Sequence, residues 1–172
     1  FDKKTERVIS LPFQKFFNLG ERSNTIASKI DLRNQHTIET KMDGSMIRTI
    51  DLGDGKWRLG TRAGVTDIAM MAEEFVADHP TLPVAIYNVL QAGCTAIFEF
   101  CSRKNRVVID HPRDRLVLLA VRDSQSGVSW SRSEHLSFSL TFDLHLVPAR
   151  PYSTAVSELA ATIRDLKGEE GV

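Results

Sequence analysis

Cysteine is almost missing from this chain: Cys94 and Cys101 are the only two among 172 residues. Two thiols make neither a disulfide framework nor a zinc cluster, and they read as reduced. A surplus of charge is missing as well, since 22 Lys and Arg stand against 22 Asp and Glu. A nonspecific nucleic-acid binder normally carries a basic excess. Any nucleic acid must therefore be held by a local patch, and Arg103, Lys104, Arg106, Arg113 and Arg115 are the candidates. The other reading of that patch is a solvated basic loop. The apolar runs are only a few residues long, so no segment reads as a membrane-spanning helix and no membrane contact is expected. No charged-then-apolar leader opens the sequence, which together with reduced thiols gives a cytoplasmic expectation. Repeats, low-complexity tracts and Pro/Gly/Ser linkers are absent, and one domain is the simplest organisation.

What is present reads mostly as strand. Residues 7–11 form a short β-branched run ending at Pro12, and residues 37–41 and 45–50 flank an Asp43-Gly44 turn. Asp54-Gly55 separates 45–50 from 56–61, a strong hairpin signal. Further strands are expected at 94–100, 106–109, 116–122 and 127–131. Helices are fewer. Thr66 can cap one whose apolar residues recur at Ile68, Met71, Ala72, Phe75 and Val76 and which ends at His79-Pro80. A second covers about 82–90 and a third about 153–167. The sum is an α+β fold with an antiparallel, hairpin-rich sheet and a few flanking helices. Ser133-Glu134-His135 contains hydrolase residue types. On a strand, Glu134 would point away from the other two, so no triad is expected. The five histidines show no metal-ligand spacing, and Gly53-Asp54-Gly55 precedes a strand, which suits a hairpin turn better than a phosphate loop.

The segment with chemical content is Glu39-Thr40-Lys41-Met42-Asp43-Gly44-Ser45. It sets a lysine at a strand end before a tight turn, with a carboxylate two residues on. Gly44 can take φ > 0 and lets the backbone approach a ligand. Taken alone, such a lysine reads as a nucleophile, a phosphate contact or a plain surface residue.

Lys41-Met42-Asp43-Gly44-Ser45 resembles the nucleotidyl-lysine motif of covalent nucleotidyltransferases, the superfamily of ATP-dependent ligases and capping enzymes. Other segments follow in order. Lys15-Phe16-Phe17-Asn18 is similar to a segment of the bacteriophage tRNA-repair type of RNA ligase. Arg62, in Gly60-Thr61-Arg62-Ala63-Gly64, stands where that family carries a basic residue. Phe98-Glu99-Phe100 with Asn105-Arg106-Val107-Val108 resembles its Phe-Glu-Phe strand, and Glu170-Gly171-Val172 the opening of its Glu-Gly-x-Val motif. The resemblance implies an adenylation domain that joins 5′-phosphate and 3′-hydroxyl RNA ends through a lysyl-AMP intermediate. ATP would be the AMP donor, Mg²⁺ the metal, and nicked tRNA one candidate substrate.

By the same resemblance Lys41 is the catalytic nucleophile. Lys15, Phe17, Gly44, Arg62 and Glu99 bind the nucleotide, and Glu170 binds the metal. The chemistry makes a demand of its own. With an ordinary pKa of about 10.4, roughly one lysine in a few thousand is neutral near pH 7, so attack on phosphorus requires a site that favours the free amine. Phe98 and Phe100 alternate away from Glu99 and are expected in the core. The sequence departs from the family at Arg103-Lys104, where relatives often have Pro. The upstream Arg motif, the final Lys-x-Lys strand and the C-terminal helical domain are not in it, so residues 1–172 read as a partial adenylation domain expected to react poorly alone. The competing readings are a nucleotide- or RNA-binding module without catalysis, and another covalent nucleotidyltransferase such as a DNA ligase or capping enzyme.

Overall fold

The computed structural model describes the chain except Gln35 and residues 106–111, 151–154 and 165–172, together with the side chains of residues 105 and 162–164. The described chain forms two compact units. One contains Phe1–Pro12 and Asp43–Val147, the other Phe13–Met42 and Pro148–Val172.

The first unit is built on a five-stranded sheet. Its strands are β1 (Ser45–Gly53), β2 (Lys56–Gly60), β3 (Cys94–Cys101), β4 (Arg115–Asp123) and β5 (His145–Leu146), in the order β2-β1-β3-β4-β5. All neighbours pair antiparallel except β4 and β5, which run parallel. The Asp54-Gly55 hairpin forms as its sequence requires. Both residues have positive φ, 52° and 73°, the backbone a two-residue turn needs to match the right-handed strand twist. β3 is central and buried on both faces. Glu99 alone on that strand is only half-buried, so β3 lacks the alternation of a one-sided strand.

Helices α1 (Asp67–Ala77) and α2 (Thr81–Gln91) pack on one sheet face. Ala69, Ala72 and Val76 of α1 meet Leu82, Ile86 and Val89 of α2 over Ile47, Leu59, Phe98, Phe100 and Leu118. Thr66 caps α1 by accepting the Ala69 N–H. Glu73 of α1 accepts both the backbone N–H of Leu59 and the Arg58 guanidinium, each at 2.7 Å. A carboxylate thus covers an edge-strand donor that would otherwise invite another strand.

Several expectations change. Residues 7–11 do not form a strand. They are fastened across the sheet by Asp51 N–H to the Ile9 carbonyl, Ser10 Oγ to the Thr49 carbonyl, and Leu11 N–H to Thr95 Oγ1. Side-chain partners replace a ladder there. The expected strand at 127–131 shrinks to one bridge, Ser129 with Arg122, and the one at 106–109 lies outside the described residues.

The segment read as a strand around Ser133-Glu134-His135 is helix α3 (Arg132–Phe142). Ser131 and Glu134 form a reciprocal capping box at its start. His135 is buried, and its Nε2 accepts the Val121 N–H at 2.8 Å. The three residues make no triad: Ser133 meets Ser131, Glu134 closes the cap, and His135 accepts from β4.

The second unit carries little regular structure among its described residues. A 3₁₀ turn covers Ala27–Lys29, and α4 covers Val156–Arg164. Residues 37–41, expected as a strand paired across Asp43-Gly44, instead sit at isolated bridges. Glu39 pairs with Ala149, Thr40 N–H donates to the Pro148 carbonyl and Arg150 N–H to the Ile38 carbonyl.

Candidate active site

Gly44 and Glu99 are brought together in the first unit. Their proximity follows from register: Ser45 pairs with Phe100 and Met46 with Glu99 across β1 and β3. Gly44 therefore meets the end of β3 directly. A Cβ built on it would lie 2.5 Å from the Phe100 carbonyl oxygen and 3.1 Å from Glu99 Cγ. The positive φ that the sequence allows at Gly44 is not used. What the glycine supplies is close approach to a neighbouring strand, one of the two standard uses of the residue.

Alternation on β3 separates core from site. Phe98 and Phe100 are each 1% exposed within the helix-covered core, and Glu99 projects from the opposite face. Asp43 is buried beside the start of β1. Cys101, two residues beyond Glu99 and on its face, has its pKa pushed up to about 11. Burial is the main cause, and the negative charges of Glu99 and Asp43 add to it. That thiol stays protonated at neutral pH and is no nucleophile. Cys94, also free and buried, is shifted upward by burial too.

Arg62 follows β2 in the tight Thr61–Gly64 turn, whose two backbone hydrogen bonds close it into a small loop. Its side chain is exposed. Arg103 and Lys104 are exposed on a 3₁₀ turn anchored by Arg103 N–H to Asp114, while Arg113 is exposed and Arg115 half-buried. Arg106 lies outside the described residues.

In the second unit Lys41 is half-buried, in the last two residues before the chain enters the sheet unit. Lys15 Nζ lies 5.0 Å from the centroid of the half-buried Phe17 ring, and Arg22 Cζ lies 4.5 Å from it. Arg22 is absent from the sequence reading. A spacing of five from Phe17 on a segment without regular structure gives no sequence signal for it. Two cations on one ring are each stabilised by the ring quadrupole, and they gather positive charge around an aromatic surface.

Glu170 lies outside the described residues. Among the described residues no group of three or more His, Cys, Asp or Glu converges. Mg²⁺ favours oxygen donors, commonly one or two carboxylates with phosphate and water, and Glu99 offers one such carboxylate. Also among the described residues, no helix is long and apolar enough to cross a membrane.

The arrangement places a carboxylate on the central strand against a glycine, with an arginine on the short loop that follows β2. A candidate RNA ligase of Thermovibrio ammonificans is 34% identical over 128 residues, which cover 74% of this chain and 33% of that protein. The chain thus spans about a third of the length of this curated relative. The fold is similar to Naegleria gruberi RNA ligase, solved as a lysine-to-alanine mutant with ATP and Mn. That match has a TM-score of 0.61 at 14% identity and covers 78% of this chain and 44% of the other. An archaeal ATP-dependent RNA ligase gives a TM-score of 0.53 at 22% identity, covering 74% of this chain and 35% of the other. A family model described as RNA ligase matches residues 1–169. With nearly every residue inside that match, the chain belongs to the RNA ligase family.

Proposed function

We propose that this protein joins RNA ends at the expense of ATP, with Lys41 as the nucleophile. The observation that carries the proposal is the run Lys41-Met42-Asp43-Gly44-Ser45 leading straight into β1, with Gly44 seated against Glu99. Family membership supports it.

The chemistry divides into three displacements at phosphorus. The Lys41 amine attacks the α-phosphorus of ATP. A P–N bond forms, the α–β anhydride bond breaks, pyrophosphate leaves, and the amine gives up a proton to solvent. An RNA 5′-phosphate oxygen next attacks the lysine-bound AMP, the P–N bond breaks, and the lysine is regenerated. Finally a 3′-hydroxyl attacks the activated 5′-phosphorus, loses its proton and expels AMP. Charge builds on phosphate oxygens in each step, so cations placed in advance lower each barrier.

In this reading Glu99 accepts hydrogen bonds from the ribose hydroxyls, a role for a carboxylate held by flanking aromatics in the core. Arg62 contacts phosphate oxygens, and its exposure on a tight loop leaves the guanidinium able to meet an incoming ligand. Lys15 brings charge to the nucleotide, and Phe17 offers a ring edge or face to the base. Gly44 lets the backbone at the start of β1 lie close to Glu99. A Mg²⁺ carried on the phosphates would neutralise oxygen charge, with Glu170 its protein ligand. RNA with a 5′-phosphate and a 3′-hydroxyl is the substrate class, and a nicked tRNA in a cytoplasmic repair reaction is the finer assignment.

Mass spectrometry of the full-length protein after incubation with ATP and Mg²⁺ tests the proposal. A gain of one AMP is expected, absent in Lys41→Ala. An adduct that persists in the variant removes Lys41 from its role. Label taken stably from GTP, and not ATP, points to capping chemistry, and no adduct with any nucleotide leaves a binding module.

A further inference from the structure

Arg48 differs from three other arginines of the sheet unit. Arg7 pairs with Asp51, Arg58 pairs with Glu73, and Arg122 donates to the carbonyls of Pro12 and Gly127. Each of these fastens one segment to another. Arg48 has no such task. It is half-buried in the middle of β1, and its Nε is buried without an acceptor among the described residues. Burial lowers its pKa, and no carboxylate acts against that shift. A guanidinium stays charged at neutral pH whatever its surroundings. Arg48 is thus a cation held partly out of water whose Nε finds no acceptor among the described residues to offset the cost.

Register shows where this cation lies. Ile47 pairs with Phe98 on the helix-covered face, so Met46 and Arg48 occupy the other face with their partners Glu99 and Ile97. Across the second ladder Arg48 faces Gly60, which has no side chain, and Arg62 follows two residues later. Glu99 is on the diagonal from Arg48, a relation that puts side chains of this length within reach of one ligand. The same face of β1 and β3 thus carries a half-buried guanidinium diagonal to a carboxylate, and a second, exposed guanidinium stands in the turn that follows β2.

We propose that Arg48 is a phosphate-binding residue, one that takes a phosphate of the nucleoside triphosphate alongside Arg62. An incoming phosphate supplies the acceptor that the buried Nε lacks, and the planar fork grips two of its oxygens at once. The identity of the nucleotide rests on the ligase reading; the anion site itself does not. The same chemistry is offered by the 5′-phosphate of an RNA end, and the test separates the two sources.

The experiment uses the full-length protein, with Arg48→Met to keep the apolar stem and Arg48→Lys to keep the charge. Calorimetric titration with inorganic pyrophosphate is expected to show affinity at least tenfold lower in Arg48→Met and partly restored in Arg48→Lys. The KM for ATP in AMP uptake should rise by a similar factor, with transfer from preformed adduct to 5′-phosphorylated RNA unchanged. A defect in that transfer alone assigns Arg48 to the RNA phosphate, and so overturns the nucleotide assignment. Unchanged behaviour in all three assays overturns the anion site altogether.

Should Arg48→Met fail to fold, the wild-type protein decides the matter. Pyrophosphate should shield Arg48 from phenylglyoxal, read by peptide mass, and equal modification with and without it overturns the site. If the wild type forms no AMP adduct, the ligase reading fails, while the titration and shielding still decide whether Arg48 binds phosphate.

Discussion

At Gly44 the surroundings leave no room for any other residue. A Cβ there meets the carbonyl of Phe100, which is backbone and cannot turn aside. Gly44→Ala should therefore separate β1 from β3 locally and cost about 1–3 kcal/mol, the range for overpacking a tight site. A thermal melt that matches the wild type would show that the strands yield more easily than this. The sequence announced a special glycine here, but the positive φ it allowed is not used; the demand arises at Phe100, on a strand that only the fold brings alongside. His135 makes a second case at this scale. Burial holds its imidazole below the usual 6.5, and accepting the Val121 N–H requires an unprotonated Nε2. The folded state thus refuses a proton that the unfolded chain takes up near 6.5. The stability from this residue is complete above that pH and is lost as pH falls through the lowered folded value. The melting midpoint should decline between pH 7.5 and pH 5. In His135→Leu the decline should flatten, at a cost of about 1–3 kcal/mol at pH 7.5 for the orphaned N–H. A wild-type midpoint level across that window would show that the buried imidazole is not coupled to folding.

Among the elements, α3 teaches most about what a sequence conceals. Its apolar residues do not fall on one tidy face: Leu136 and Leu140 are exposed, while His135 and Ser139 are buried. Periodicity gave no helix because polar His135 and Ser139 share the inward face with Phe138 while two leucines point outward. The Ser-x-x-Glu box at 131–134 was the available signal, and it depends on hydrogen bonds, not hydrophobicity. Ser131→Ala should cost about 1 kcal/mol and loosen the first turn of α3, read as a lower melting midpoint with faster amide exchange at residues 132–135. An unaffected midpoint would mean that packing of His135 alone holds the helix start. By contrast α1, α2 and the Asp54-Gly55 hairpin were legible, because cap, period and turn chemistry agree with one another in each. The strand expected at 37–41 failed for the opposite reason. Its β-branched residues are real, but they find single bridges and not a ladder.

The two units of the whole molecule differ in how much of their backbone is tied down. β3 is flanked by partners on both sides and buried almost throughout, whereas no described residue from 13 to 34 is buried and only one short 3₁₀ turn forms there. Hydrogen exchange in the absence of ligand should find the slowest amides in β3 and β4 and the fastest in 14–34. Comparable rates in both would contradict this contrast. The general identity was legible at this scale because short motifs recur in order along the chain. The seating of Gly44 against Glu99 was not, since register and burial are set by contacts far apart in sequence. One feature of β3 reaches beyond the site. Phe98 and Phe100 are rooted among the helices, and the single residue between them carries the carboxylate. No intervening layer absorbs changes in the interior before they reach that group. The carboxylate is accordingly steadied from beneath: a substitution at Ala72 or Val76, which share the core with both aromatics, is expected to shift the footing on which Glu99 stands.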